Sequence, residues 1–149
     1  MNIFYLDKDP VIAAQLMCNK HVVKMIVESA QMLSTTHRVC DGDDYANEMG
    51  LYKLAHKNHP STKWVRSNHA TSRLRIALYK PPTNIVHGVP VTDPPQCMPE
   101  ECKQDDTVFA YQTYYIVEKS RFAKWTKREI PTWFIGGSDG KRKSVELGA

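Results

Sequence analysis

The sequence predicts a mostly α, single-domain compact helical fold with a proline-rich central loop. Three observations predict it. Apolar residues recur at three- and four-residue spacing over His21 to Ser34. The same spacing returns over Asp106 to Glu129, marked by Val108, Tyr111, Tyr115, Phe122 and Trp125. Between them Pro81, Pro82, Pro90, Pro94, Pro95 and Pro99 crowd a stretch that reads as loop, because a strand would need the amide donors that proline lacks. A chain of 149 residues, 42% hydrophobic and 24% charged, is long enough for one core. The expected domain spans 1–135, and 136–149 reads as a flexible basic tail.

Each element has a local reason. Asn2 to Leu6 is a short apolar lead-in. Asp7 or Asp9 can cap a helix that begins near Pro10, since proline suits the first helical turn. Val11 to Cys18 and His21 to Ser34 read as helices, with an offset at Asn19. Cys40-Asp41-Gly42-Asp43-Asp44 is a turn, and Tyr45 to Ala55 a short helix. His56-Lys57-Asn58-His59-Pro60 breaks the chain, and Ser61 can cap a helix through Trp64 and Val65. Ser72 to Leu78 is a further short candidate. Asp106 to Glu129 is the longest helical pattern, ended by Ile130-Pro131.

The formal net charge of +4 and pI near 8.9 permit nucleic-acid binding without demanding it. Bases concentrate late, at Lys119, Arg121, Lys124, Lys127 and Arg128. No apolar run approaches the roughly 20 residues that span a bilayer, and no signal-peptide pattern opens the chain. A cytoplasmic protein without membrane contact is expected, with Cys18, Cys40, Cys97 and Cys102 as free thiols.

At 100° per residue, His21, Lys24, Glu28, Gln31 and Thr35 share one narrow stripe of an otherwise apolar helix, which reads as mostly buried. A single carboxylate there, with a histidine and a lysine one and two turns away, suits an acid/base residue in a cleft. A structural ion pair would show the same pattern. On the late helix, Arg121, Lys124 and Arg128 share a face that can hold phosphates beside aromatic residues, or can simply be solvated. His56 and His59 invite a metal reading, as do the pairs Cys18/His21 and Cys97/Cys102, but neither cysteine pair has finger spacing. Glycine-rich phosphate loops and G-x-S-x-G are absent from the sequence.

Three elements in order resemble the phage-type pyrimidine-dimer DNA glycosylase/AP lyases, the small all-α endonuclease V proteins of bacteriophage. They are the opening Met1-Asn2-Ile3-Phe4-Tyr5-Leu6; His21 and Glu28 seven residues apart; and Met98-Pro99-Glu100-Glu101 leading to a basic segment that closes in Ile130-Pro131-Thr132-Trp133-Phe134. These segments cover about half of the chain. The resemblance implies a DNA repair endonuclease whose N-terminal α-amine attacks C1′ of a damaged nucleotide, forms a Schiff base and cuts the strand by β-elimination. It implies Met1 as the amine, Glu28 as the essential carboxylate and His21 as its orienting neighbour. Asn2, Lys24, Arg121, Lys124 and Arg128 would contact the nucleic acid, with Trp133 or Phe134 near the lesion. The implied partner is double-stranded DNA with damaged or altered bases, and no cofactor or metal is implied.

The chain departs from that pattern in two ways. Asn2, Val27 and Gln31 stand where the best-known members carry phosphate-clamping arginines, and the middle is short. A protein partner or a homo-oligomer is a candidate support for that middle. A second function therefore stays open: a non-catalytic phage nucleotide- or nucleic-acid-binding protein of counter-defence type on the same fold.

Overall fold

The computed structural model describes residues 2–67 and 92–134. Met1, the Ser72 to Leu78 candidate, Pro81, Pro82, Pro90 and the tail lie outside the described residues. The described part is helical, with no strand. Helix α1 (Pro10–Leu16) leads into α2 (Asn19–Cys40), followed by α3 (Asp43–Glu48) and α4 (Pro60–Ser67). A short 3-10 turn (Glu100–Cys102) precedes α5 (Thr107–Tyr114), which continues into a π turn over Tyr115–Lys119. None of the helices among the described residues is long and apolar enough to cross a membrane.

Helix α1 starts as its sequence dictates. Asp9 Oδ1 accepts from the amides of Val11 and Ile12 at 2.7 and 3.3 Å, and Pro10 occupies the first turn, where an amide donor is not needed. The offset before Asn19 is a residue pair in extended conformation, Met17 and Cys18. Helix α2 then runs six residues past Ser34, to Cys40. Its extension is held from within: Thr36 Oγ1 donates to the Met32 carbonyl at 2.9 Å, and Thr35, Thr36 and His37 are buried. Helix α3 is shorter than the expected Tyr45 to Ala55 and stops before Gly50, whose φ of 63° is a left-handed turn conformation. The chain from Leu51 onward is irregular and is held by side chains of α2, as Thr35 Oγ1 pairs with both the carbonyl and the amide of Ala55.

The core gathers the lead-in residues Ile3 to Leu6 with Met25, Met32 and Leu33 of α2, Trp64 and Val65 of α4, and Tyr111 and Tyr115. Burial on this scale is the main stabilising term of the fold. Two expectations are corrected here. First, α2 is not a mostly buried cylinder: Val23, Ile26 and Val27 are 71%, 62% and 45% exposed. The helix packs through one side only, and the described residues leave the other side open. Second, the helix expected over Asp106 to Glu129 ends at Tyr114 and passes through the π turn into irregular chain. Tyr111 and Tyr115, four residues apart, share the face that reaches the core. Beyond Lys119 the aromatic residues Phe122 and Trp125 still pack inward, but from a chain pinned to the α1–α2 junction. Trp125 Nε1 donates to the Leu16 carbonyl at 3.0 Å, and the Asn19 amide donates to the Lys124 carbonyl at 2.8 Å. The regular spacing of those aromatics reflects a shared core, not a shared helix.

Candidate functional site

Glu28 sits at mid-length of α2 with its side chain 16% exposed, beside a Lys24 that is 51% exposed. Lys24 Nζ lies 3.2 Å from Glu28 Oε1. The other oxygen, Oε2, accepts from the backbone amide of Asn2 at 3.3 Å. The carboxylate therefore tethers the start of the described chain to the middle of the longest helix.

The lead-in is fixed by more than this bond. Asn2 Oδ1 accepts from the Ile3 amide at 2.8 Å, and Asn2 Nδ2 donates to the Cys97 carbonyl at 2.8 Å. The Tyr111 hydroxyl lies 2.8 Å from the same Asn2 Oδ1 and 2.7 Å from the Pro95 carbonyl. Burial pushes that phenol's pKa well up, so it stays a protonated donor. Asn2 thus joins the lead-in to the 92–98 segment, and its side chain is spent on protein contacts. Phe4 adopts φ 53°, a conformation that bulky residues rarely take and that costs on the order of 1–3 kcal/mol. The turn brings the Phe4 ring flat onto His21, with centroids 4.0 Å apart and planes 15° from parallel.

His21 is buried at 3% exposure and lies 2.5 Å, through Nδ1, from the Tyr115 hydroxyl. Desolvation lowers its pKa to about 4, helped by the positive charges of Lys119, Lys24 and Lys20 and opposed by Glu28. The ring is neutral at pH 7. Tyr115 is likewise held protonated by burial. His21 also carries a stability consequence. Its folded pKa is depressed, so above pH 6.5 it is neutral in both states and contributes no pH dependence. As pH falls from about 6.5 to 4 the unfolded chain takes up the proton and the folded one resists. Stability drops by up to about 3 kcal/mol over that window. Denaturant melts at pH 7 and pH 4.5 check this: His21→Asn should flatten the decline, and an unchanged slope would contradict the neutral assignment.

Lys20, Lys24 and Lys119 surround a depression of about 340 Å³ that His21 and Asn2 also line. Its aromatic wall is Phe4, Tyr114 and Phe122. Lys20 Nζ stands 4.6 Å over the Phe122 ring and Lys119 Nζ 4.2 Å over Tyr114. A larger, open surface dish lies between Asp7, Lys8 and Asp106, away from Glu28 and the histidines. Three lysines and a histidine converge on the smaller depression.

The structure brings together Asn2, His21, Lys24 and Glu28. The late bases do not share a helix face, since the chain beyond Lys119 is irregular. Arg121 and Lys124 are exposed on irregular chain, and Arg128 is turned inward, donating to the Gln15 carbonyl and to Asn19 Oδ1, both at 3.1 Å. Phe134 is buried against Trp125, with ring centroids 4.7 Å apart. Trp133 stacks edge-on to Tyr115, and its indole N–H is buried without a hydrogen-bond partner among the described residues. Met1 lies outside the described residues.

His59 is the residue that the sequence reading had set apart. The metal reading had paired it with His56, yet it lies within electrostatic reach of Glu28 as well as of His56. Burial comes first in depressing its pKa. The Ser61 amide donates to His59 Nδ1 at 3.2 Å, so the proton of the neutral ring resides on Nε2. His59 and Glu28 are far apart in sequence; His59 immediately precedes α4, which packs against α2, and Glu28 acts on it through space. Lys20 and Lys119 were also missed as partners of His21, although Lys20 adjoins it in the chain.

The cysteine pairs do not assemble. Cys18 and Cys102 are fully buried, and Cys97 Sγ lies 3.4 Å from Ser61 Oγ. None of the four cysteines forms a disulfide among the described residues, which also hold no group of three or more His, Cys, Asp or Glu side chains placed to share a metal ion. No family model, no curated protein and no solved structure matches the chain.

Proposed function

We propose that the protein is a DNA repair glycosylase/AP lyase acting in the cytoplasm on duplex DNA with an altered or missing base. The observation that supports this most is the bond from the Asn2 amide to Glu28 Oε2. Met1 is joined to that same nitrogen, so the carboxylate serves the peptide unit that bears the proposed α-amine. An α-amine with a pKa of about 7.7–8.0 is far more often neutral at pH 7 than a lysine at about 10.4.

The chemistry balances without a redox partner. The amine lone pair attacks C1′ of the sugar. An altered base leaves C1′ and is protonated as it goes, or, at an abasic aldehyde, water is expelled. On the base-loss path the C1′–O4′ bond then opens, O4′ taking a proton, and on both paths the iminium so formed acidifies C2′; loss of that proton breaks the C3′–O bond, and the 3′ phosphate departs. Hydrolysis of the imine frees the protein. Glu28 stabilises the cationic sugar and iminium and carries protons between steps. His59, with Nδ1 taken by the Ser61 amide, presents an Nε2–H donor within the field of Glu28, while His21 supports the lead-in through Phe4. Lys24 holds Glu28 and supplies positive charge for the backbone.

Borohydride trapping on a duplex with one abasic site tests the reading. A covalent protein–DNA adduct is expected. Folded protein that gives no adduct would overturn the lyase and leave a nucleic-acid-binding protein without chemistry.

A further inference from the structure

The depression beside His21 has a composition of its own. Three ammonium groups converge on it, and Glu28 is the one carboxylate paired with any of them. Among the described residues Lys20 and Lys119 form no ion pair; their charges rest on the faces of Phe122 and Tyr114. A cation on a ring face is held less strongly than one in a charge-assisted bond to a phosphate oxygen. His21, kept neutral by burial, adds no fourth charge. The site therefore presents about two uncompensated positive charges, which matches a phosphate near its second ionisation. When Lys20 and Lys119 turn to that phosphate, the faces of Phe122 and Tyr114 are released. Free aromatic faces at a cationic pocket accept a nucleobase. The volume of about 340 Å³ lies within the range of small-ligand pockets.

We infer that this pocket takes one nucleoside monophosphate unit, its phosphate on Lys20, Lys24 and Lys119 and its base against Tyr114 and Phe122. The inference deepens the DNA reading by naming the unit bound, and rests on it only for the source of that unit. A free nucleotide brings a phosphomonoester near its second ionisation and an unpaired nucleotide in a strand a singly charged phosphodiester; both offer phosphate oxygens to the lysines and a base to the rings, and the charge match favours the monoester.

Calorimetric titration with dTMP, thymidine, inorganic phosphate and a short single-stranded oligothymidylate tests it. We expect dTMP to bind at least about tenfold tighter than thymidine, with phosphate competing. Lys20→Gln combined with Lys119→Gln should weaken dTMP about tenfold or more, whereas Lys8→Gln with Lys53→Gln, both exposed and outside the pocket, should change it less than about twofold. Tyr114→Leu should weaken dTMP while leaving phosphate binding in place, which also shows that the variant is folded. Tighter binding of the oligomer than of dTMP assigns the unit to a strand; the reverse assigns it to a free nucleotide. Equal binding of thymidine and dTMP, or wild-type affinity in the double lysine variant, would overturn the inference. The trapping assay on the same sample separates it from the lyase. Nucleotide binding without an adduct removes the chemistry and keeps the pocket, and an adduct without nucleotide binding does the opposite.

Discussion

Glu28→Gln is expected to abolish strand cleavage while leaving the fold intact. Glutamine keeps the shape and can still accept the Asn2 amide bond at Oε1, so the lead-in stays attached. What it loses is negative charge and the ability to carry a proton. General acid–base catalysis alone contributes about 10²–10⁴-fold, and stabilisation of a developing cation adds to that. Incision of an abasic duplex should therefore slow by at least about a hundredfold. Stability should hardly change, because the Lys24 partner is half exposed and such pairs are worth at most about 1 kcal/mol. Glu28→Asp keeps the charge but withdraws it from Asn2, and should fall between. A glutamine variant that cuts at the wild-type rate would remove Glu28 from the chemistry.

The largest expected loss of stability comes from Arg38→Met. The Arg38 side chain is only 8% exposed, in the last turn of α2. Its guanidinium donates to the carbonyls of Tyr52 at 2.7 Å and Leu51 at 3.0 Å, to Asp43 Oδ1 at 2.8 Å and to Asn47 Oδ1 at 3.0 Å. This one side chain ties α2, α3 and the irregular segment after Gly50 together. Methionine fills similar space but leaves those acceptors without their donor. The acceptors at Tyr52, Asp43 and Asn47 are exposed and can turn to water, so the loss falls mainly on the part-buried Leu51 carbonyl, where an unsatisfied group costs about 1–3 kcal/mol. A fall in Tm on the order of 10 °C is expected from thermal melts. A Tm within about 1 °C of wild type would show that the segment is held by other contacts.

Much of the helical plan was readable because its signals are local. Asp9 followed by Pro10 and the break before Asn19 depend on neighbours in the chain, and the structure bears them out; a helix does start near Ser61, but at Pro60, and it is His59 Nδ1, not the Ser61 side chain, that accepts a first-turn amide. Longer-range features were not readable. The spacing of Val108, Tyr111, Tyr115, Phe122 and Trp125 fits a helix to Glu129, yet Phe122 and Trp125 meet the core from irregular chain. The hydrogen bonds that hold them there run to Leu16 and Asn19, more than a hundred residues away. Periodicity records which residues face inward; it does not record what carries them there.

The site shows the same division. The stripe of His21, Lys24 and Glu28 followed from helical geometry. The nature of its surroundings did not. Val23, Ile26 and Val27 led to the expectation of a buried helix, but exposure depends on what packs outside it. Glu28 acts through space on His59, which immediately precedes α4 where it packs against α2, and Lys119 reaches His21 because the π turn places it there. Of the charged residues grouped by sequence proximity, Arg121 and Lys124 are exposed on irregular chain and Arg128 turns inward to Gln15 and Asn19. Asn2 holds the lead-in through its side chain and Glu28 through its amide, a double role that its residue type did not announce.

Peptide mapping of the borohydride-trapped adduct tests the central claim most directly. The account predicts that the nucleotide is carried by the proteolytic peptide that begins at Met1 and contains Asn2, on its α-nitrogen. An adduct on Lys20, Lys24 or Lys119 would contradict it, moving the nucleophile from the chain terminus to the pocket lysines.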